Sequence, residues 1–249
     1  MVVYGRSGTG KTTFASSFPQ PILFLDVKDE GLASVSPTGE FEYLPVENWD
    51  DFEEVFWYLK EEAPKRYKTV VIDTVSQLQE QAMAAATTKR AKKSAVIRPK
   101  GDWGTMTRRD WGDVAGLMKT WLVNFRDLDM NVVFIAQDRT FNVDEEGDSV
   151  DHVLTPEVGP RLMPSVASVL NAAVSIIGNT FIRIRTVKVK NKKTGKTEKR
   201  EKPEYCLRIG PNPVYTTKVR KPKDILIPAT LVDPTYKSLT EALKGEHNG

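Results

Sequence analysis

Four short stretches of this chain carry residue types at spacings suited to binding a polyphosphate and cleaving it. In "VVYGRSGTGKTTF" (2–14) an apolar run enters Gly5-Arg6-Ser7-Gly8-Thr9-Gly10-Lys11-Thr12, which fits G-x-x-x-x-G-K-[ST] at every fixed position. Backbone N–H groups in such a loop, here those of Gly8, Gly10 and Lys11, cradle phosphates where a helix begins, because orphan donors and the helix dipole favour anions. The Lys11 ammonium reaches the β- and γ-phosphates, and the Thr12 hydroxyl ligates Mg²⁺, with Thr13 a lesser candidate. "VVIDT" brings the Asp73 carboxylate to the end of an apolar run, where it holds Mg²⁺ through a water or, alternatively, caps the next helix.

Hydrolysis also needs a group that orients or deprotonates water. "FLDVKDEG" offers Asp26, Asp29 and Glu30 just past a second apolar run. Glu30, followed by Gly31, is the favoured base and Asp29 the runner-up. "FIAQDR" ends another apolar run in Gln137, whose amide can accept from a water and donate to a γ-phosphate. That position suits a sensor that reports hydrolysis to whatever follows; a glutamine that simply meets solvent is the alternative.

The elements that must position these groups alternate strand and helix. The sequence predicts strands over 1–5, 21–26, 68–74, 131–137 and 172–178, the short apolar runs of buried parallel strands. Helices are predicted over 11–18, 49–62, 75–86, 109–127 and 163–171 from apolar residues at helical spacing. Residues 87–105 read as a mobile basic loop and 138–160 as a long polar loop, a length that is usually functional or disordered. "TFIRIRTVKV" and "EYCLRIG", joined by "NKKTGK", alternate as a β-hairpin. The predicted fold is α/β, a mostly parallel sheet flanked by helices with a C-terminal antiparallel hairpin. We read residues 1–249 as a single domain, with the basic hairpin at 181–210 and a C-terminal segment at 222–249.

Composition narrows the setting. One cysteine and two histidines in 249 residues leave no means of building a disulfide framework or a Cys/His zinc site. A reducing compartment such as the cytosol is expected, with no membrane span or signal peptide. A chain that opens this directly on its first strand leaves room for native residues ahead of it. The net charge is only +3, yet basic residues gather in 87–111 and 183–202. Each stretch is read either as the seat of a polyanion or as a solvated lysine-rich surface. "VYTTKVRKP" sets Lys218 and Arg220 two apart, on the same side of a strand; solvated surface residues are an equal reading of that pair.

"GRSGTGKTT", "LFLDVKDEG", "TVVIDTVSQL" and "NVVFIAQDR", in this order and spacing, resemble the RecA-type ATPase core. More closely, they are similar to the short phage-encoded RecA-like single-strand annealing proteins, which lack RecA's extra terminal domains. The resemblance spans residues 1–240. It implies ATP and Mg²⁺ as cofactors, and a DNA-dependent ATPase that binds single-stranded DNA and promotes annealing or strand exchange. Glu30 takes the place of the family's catalytic glutamate, although Lys28 breaks the usual Asp-x-Glu spacing. Residues 87–108 and 138–160 become the two DNA-binding loops. In the first, Lys89, Arg90, Lys92, Lys93, Arg98 and Lys100 neutralise phosphates and Trp103 offers a stacking face; in the second, Arg139, Phe141 and Arg161 serve, away from the acidic tip Asp144–Glu146. Trp111 is assigned to the core. Lys218 and Arg220 match the trans-acting finger of RecA-like rings and filaments, which reaches a neighbour's γ-phosphate. Self-association with the site shared between subunits, a single-strand-binding protein as a further partner, and a cytoplasmic setting (the host's, for a phage protein) complete the expectation. A ring-shaped helicase or translocase, or a small-molecule kinase with 87–109 as a basic lid, are the alternatives.

Overall fold

A computed structural model describes residues 1–27, 39–93, 106–143, 155–190 and 197–246, with the side chains of 89–93 and a few strand-end residues outside that description. Six strands run parallel: β1 (Val2–Tyr4), β2 (Ile22–Asp26), β3 (Phe41–Pro45), β4 (Thr69–Asp73), β5 (Asn131–Ala136) and, further along the chain, β8 (Ile176–Lys190). The short helix α1 (Lys11–Ala15) follows β1. Helices α2 (Trp49–Trp57), α3 (Val75–Lys93), α4 (Arg108–Arg126) and α5 (Pro164–Ala173) fill the crossovers. Between β5 and α5 lies a separate antiparallel ribbon, β6 (Asp138–Val143) with β7 (Thr155–Pro160). The chain ends with β9 (Thr197–Arg208), β10 (Lys218–Val219), β11 (Thr230–Val232) and α6 (Tyr236–Lys244).

The main sheet runs β11-β9-β8-β1-β5-β4-β2-β3, with β10 paired to β8. Its central strands are buried on both faces, as parallel strands covered by helices must be. Alternate residues divide between two cores. Val2, Tyr4, Leu23, Leu25, Val70, Ile72 and Phe134 face α2–α5, whereas Val3, Ile22, Phe24, Val71, Val133 and Ile135 face α1 and α6. Phe52 of α2 stacks on Phe125 of α4 at 4.4 Å between ring centres, and Phe56 packs against both Phe125 and Trp121. Helix starts follow local capping: Asn48 and Thr107 each form reciprocal capping boxes, with Asp51 and Asp110.

Several expected boundaries move. The helix predicted over 11–18 stops at Ala15: Pro19 disfavours helical backbone ahead of it, and the Ser16 and Ser17 hydroxyls donate back to the Thr13 and Phe14 carbonyls. The first residues of the loop predicted from residue 87 are helical instead, because α3 continues to Lys93 through Thr87 and Thr88 into lysine, arginine and alanine, strong helix formers. The long loop 138–160 leaves and returns as the paired strands β6 and β7, which its polar composition concealed. The strand expected at 172–178 starts at Ile176, since Ala172 and Ala173 still belong to α5, and it runs unbroken into the hairpin arm to Lys190. Edge strand β3, with its exposed residues, showed no buried pattern to read.

The stack at the centre of the larger core sets a measurable cost. Phe52, fully buried, when changed to alanine is expected to lower the unfolding free energy by about 3–5 kcal/mol in urea titration.

Candidate nucleotide site

Because β5 is threaded between β1 and β4, three strand ends emerge side by side at one edge of the sheet. The loop 5–10 leaves β1 there and turns sharply into α1. Gly8 and Gly10 hold left-handed backbone (φ 76° and 84°), which glycine adopts without strain. A Cβ on Gly5 would lie 2.4 Å from the Thr180 carbonyl oxygen, so only glycine lets the end of β1 approach β8 this closely. Thr9 anchors the loop, sharing a 2.7 Å hydrogen bond with the Thr180 hydroxyl and donating to the Arg6 carbonyl. Lys11 is buried beneath the loop, its ammonium donating to the Gly5 and Arg6 carbonyls at 2.9 and 2.8 Å.

The Thr12 hydroxyl donates to the Asp73 carboxylate at 2.7 Å. A hydroxyl and a carboxylate that converge in this way suit an octahedral magnesium, which takes its remaining ligands from substrate phosphates and water. Among the described residues no cluster of three or more His, Cys, Asp or Glu side chains could hold a metal alone. Asp26, at the end of β2, lies in register with Asp73 at the end of β4, so a second carboxylate stands beside the first. Glu30 and Asp29 lie outside the described residues.

Gln137 emerges between the phosphate loop and Asp73. The Ala136 carbonyl just before it accepts from the Gly5 N–H. The Gln137 N–H donates to the Ser76 hydroxyl, which itself donates to the Arg161 carbonyl. The Gln137 side-chain oxygen accepts from the Arg161 guanidinium at 2.6 Å, and Arg161 also faces Glu80 at 3.5 Å. Arg161 is thereby tied into the base of the ribbon. Tyr4 adds a second tie, its hydroxyl donating to the Val158 carbonyl. A third contact joins Arg6 at the loop apex to Asp138 at 4.0 Å; with Arg6 largely exposed, it is a weak surface pair. On the ribbon itself Arg139 lies over the Phe141 ring, 4.8 Å from its centre.

The other candidates stand apart from this edge. Lys218 and Arg220 sit where β10 meets the start of β8, at the opposite edge of the sheet. Both donate to carbonyls at the C-terminus of α5, Lys218 to Asn171 and Ala172, Arg220 to Ala172, where helix dipoles favour cations. Burial, and then the neighbouring Arg220, push the Lys218 ammonium below its ordinary pKa. Lys89, Arg90, Lys92 and Lys93 stand on the last turns of α3, while Arg98, Lys100 and Trp103 lie outside the described residues. Trp111 is partly exposed on α4 rather than buried in the core. In the basic hairpin, Arg183 and Arg185 pair with Glu204 and hold its carboxyl below the usual range, Arg183 most strongly.

A cleft of about 720 Å³ opens over the phosphate loop. Ser7 to Thr13 and Asp73 line one part of it, and Ser17, Tyr205, Asp233, Pro234 and Thr235 the rest. The size is that of a small-molecule site. The second group went unread in the sequence, because it belongs to elements that meet α1 only through the fold. No helix among the described residues is long and apolar enough to cross a membrane.

A protein-family model described as AAA domain matches residues 1–220. Among solved structures, the crystal structure of the RadB recombinase is similar at 12% identity, over 82% of this chain and 84% of that one, with a TM-score of 0.37. No curated protein matches the sequence.

If Thr12 and Asp73 share one magnesium, Thr12→Ala and Asp73→Asn should each raise the magnesium concentration needed for half-maximal nucleotide hydrolysis. The double variant should lose less than the sum of the two, as groups acting as a unit do. Titration of hydrolysis against magnesium checks both.

Proposed function

This chain belongs to the AAA domain family, and from that premise we propose that it is a magnesium-dependent ATPase that assembles with its own copies on single-stranded DNA and promotes annealing or strand exchange. One observation carries the reading beyond nucleotide binding. The strand that ends between the phosphate loop and Asp73 continues through Gln137 directly into the β6–β7 ribbon, so a change at a γ-phosphate has a short mechanical route to exposed Arg139 and the half-buried Phe141 ring beneath it. A cationic and aromatic ribbon suits single-stranded nucleic acid, where phosphates are neutralised and bases stack. A metabolite kinase needs no such attachment.

In this account residues 1–249 work as one ATPase domain. Lys11 and the loop amides bind the triphosphate, Thr12 and Asp73 hold magnesium, and Glu30, or failing it Asp29, deprotonates the attacking water. Gln137 reads the γ-phosphate and relays its state through Arg161 to the ribbon. The basic run 89–100, Trp103, Arg139 and Phe141 bear on DNA. Lys218 and Arg220 release α5 and reach the triphosphate of an adjoining subunit, which couples turnover to assembly. The order of motifs shared with the phage annealing proteins supports the choice of annealing and of a single-strand-binding protein as partner.

Steady-state ATP hydrolysis with and without single-stranded DNA tests the reading. Strong stimulation is expected, reduced in Arg139→Ala and Phe141→Ala while their DNA-free rates persist. Turnover indifferent to DNA, with no binding of it, would contradict the proposal. The shared site has its own test. Arg220→Ala should lose roughly a thousandfold in turnover, and mixing it with inactive Lys11→Ala should restore activity, because the second variant still supplies a finger. A mixture that stays inactive means the pair does not act in trans.

A further inference from the structure

The cleft extends past the phosphate loop, and its far end is built from a different part of the chain. Thr13 on α1 and Ser17 just past its end lead from the phosphate loop to the turn between β11 and α6. There Tyr205 and Pro234 line the cleft with apolar ring surface, and Asp233, between β11 and Pro234, lines it with them. Tyr205 lies so close to the loop that a Cβ on Gly10 would meet its Cδ1 at 3.4 Å. Whatever follows the α-phosphate in this cleft therefore meets these residues.

The turn is held in a costly shape. Asp233 has left-handed backbone (φ 45°), although it precedes a proline, a position that favours extended backbone. Four contacts fix it there. Its N–H donates to the Tyr205 carbonyl at 2.7 Å, and Val232 pairs with Cys206 in the sheet. Thr235 caps α6, and the Tyr236 N–H donates to the Ser17 hydroxyl at 2.8 Å. Backbone strain that several contacts maintain is found where a side chain must be presented in one place.

We propose that Tyr205, Asp233 and Pro234 form the nucleoside end of the site, and that the Asp233 carboxylate selects the nucleotide through its hydrogen-bond donors; this rests on the ATPase reading and names how its substrate is chosen. An ionised carboxylate only accepts hydrogen bonds. It takes a ribose hydroxyl or an exocyclic amino group, and placed at the 6-position of a purine it accepts from adenine's amino group but repels guanine's carbonyl oxygen. The Tyr205 and Pro234 rings take the flat face of the base.

The test is calorimetric titration of the full chain with a non-hydrolysable ATP analogue, its 2′-deoxy form, the matching GTP analogue and inorganic tripolyphosphate. Asp233→Asn keeps the shape and tolerates left-handed backbone; Asp233→Gly keeps the backbone alone. Both should raise the Kd of the ATP analogue roughly tenfold or more while tripolyphosphate binds as in the wild type. Tyr205→Ala should do the same. If the loss vanishes with the 2′-deoxy analogue, the 2′-hydroxyl is the partner. If it persists, and Asp233→Asn admits the GTP analogue that the wild type rejects, the partner is the adenine amino group. Unchanged ATP-analogue affinity in all three variants, with tripolyphosphate still bound, overturns the inference and spares the phosphate site. Failure of the wild type to bind either ATP analogue or tripolyphosphate overturns both.

Discussion

The Thr12 hydroxyl meets the Asp73 carboxylate across 2.7 Å, although 61 positions separate them, because three buried parallel strands end at one edge of the sheet. That contact depends on register. Val70 and Ile72 face one core while Val71 faces the other, so a slip of β4 by one residue would turn Asp73 to the opposite face and mismatch the side chains packed in both cores. The packing of apolar residues on both faces that stabilises the sheet is thus the same feature that aims the Asp73 carboxylate at the phosphate loop. Packing and site geometry share one constraint.

From that edge the contacts spread outward in two directions. Through Gln137, Ser76 and Arg161 they reach the ribbon, whose base is also held by Tyr4 and by the pairing of Val158 with Tyr215. Through Ser17 and Tyr205 they reach the β11–α6 turn. The phosphate loop lies between the ribbon that carries Arg139 and Phe141 and the wall formed by Tyr205, Asp233 and Pro234. Exposed hydrogen bonds such as that between Arg161 and Gln137 contribute modestly to stability, which leaves them free to rearrange when a phosphate arrives. Lys218 and Arg220, at the opposite edge, are engaged with α5 instead and are out of reach of their own chain's loop.

Much of this could be read along the chain. The loop, Asp73 and Gln137 are local signals, each a polar residue set at the end of an apolar run, and the parallel core follows from those runs. What resisted reading was non-local. The cleft's far wall comes from Tyr205 in β9 and Asp233 in a three-residue turn, and only the stacking of α6 on α1, with Phe18 against Tyr236, brings them to Ser17. The β6–β7 ribbon escaped because only the end of β7, through Val158, Gly159 and Pro160, meets the core, too short a stretch to impose an alternation along either strand. The bond between the Arg161 guanidinium and the Gln137 side chain joins residues 24 positions apart and likewise left no mark along the chain.

The central claim is that the phosphate loop and its magnesium partner residues form a working nucleotide site. Calorimetric titration of ATP into the wild type and Lys11→Ala, with and without magnesium, addresses it most directly. The account predicts saturable binding to the wild type that magnesium strengthens and that Lys11→Ala abolishes. Equal binding by the two proteins, or none by the wild type, would contradict it.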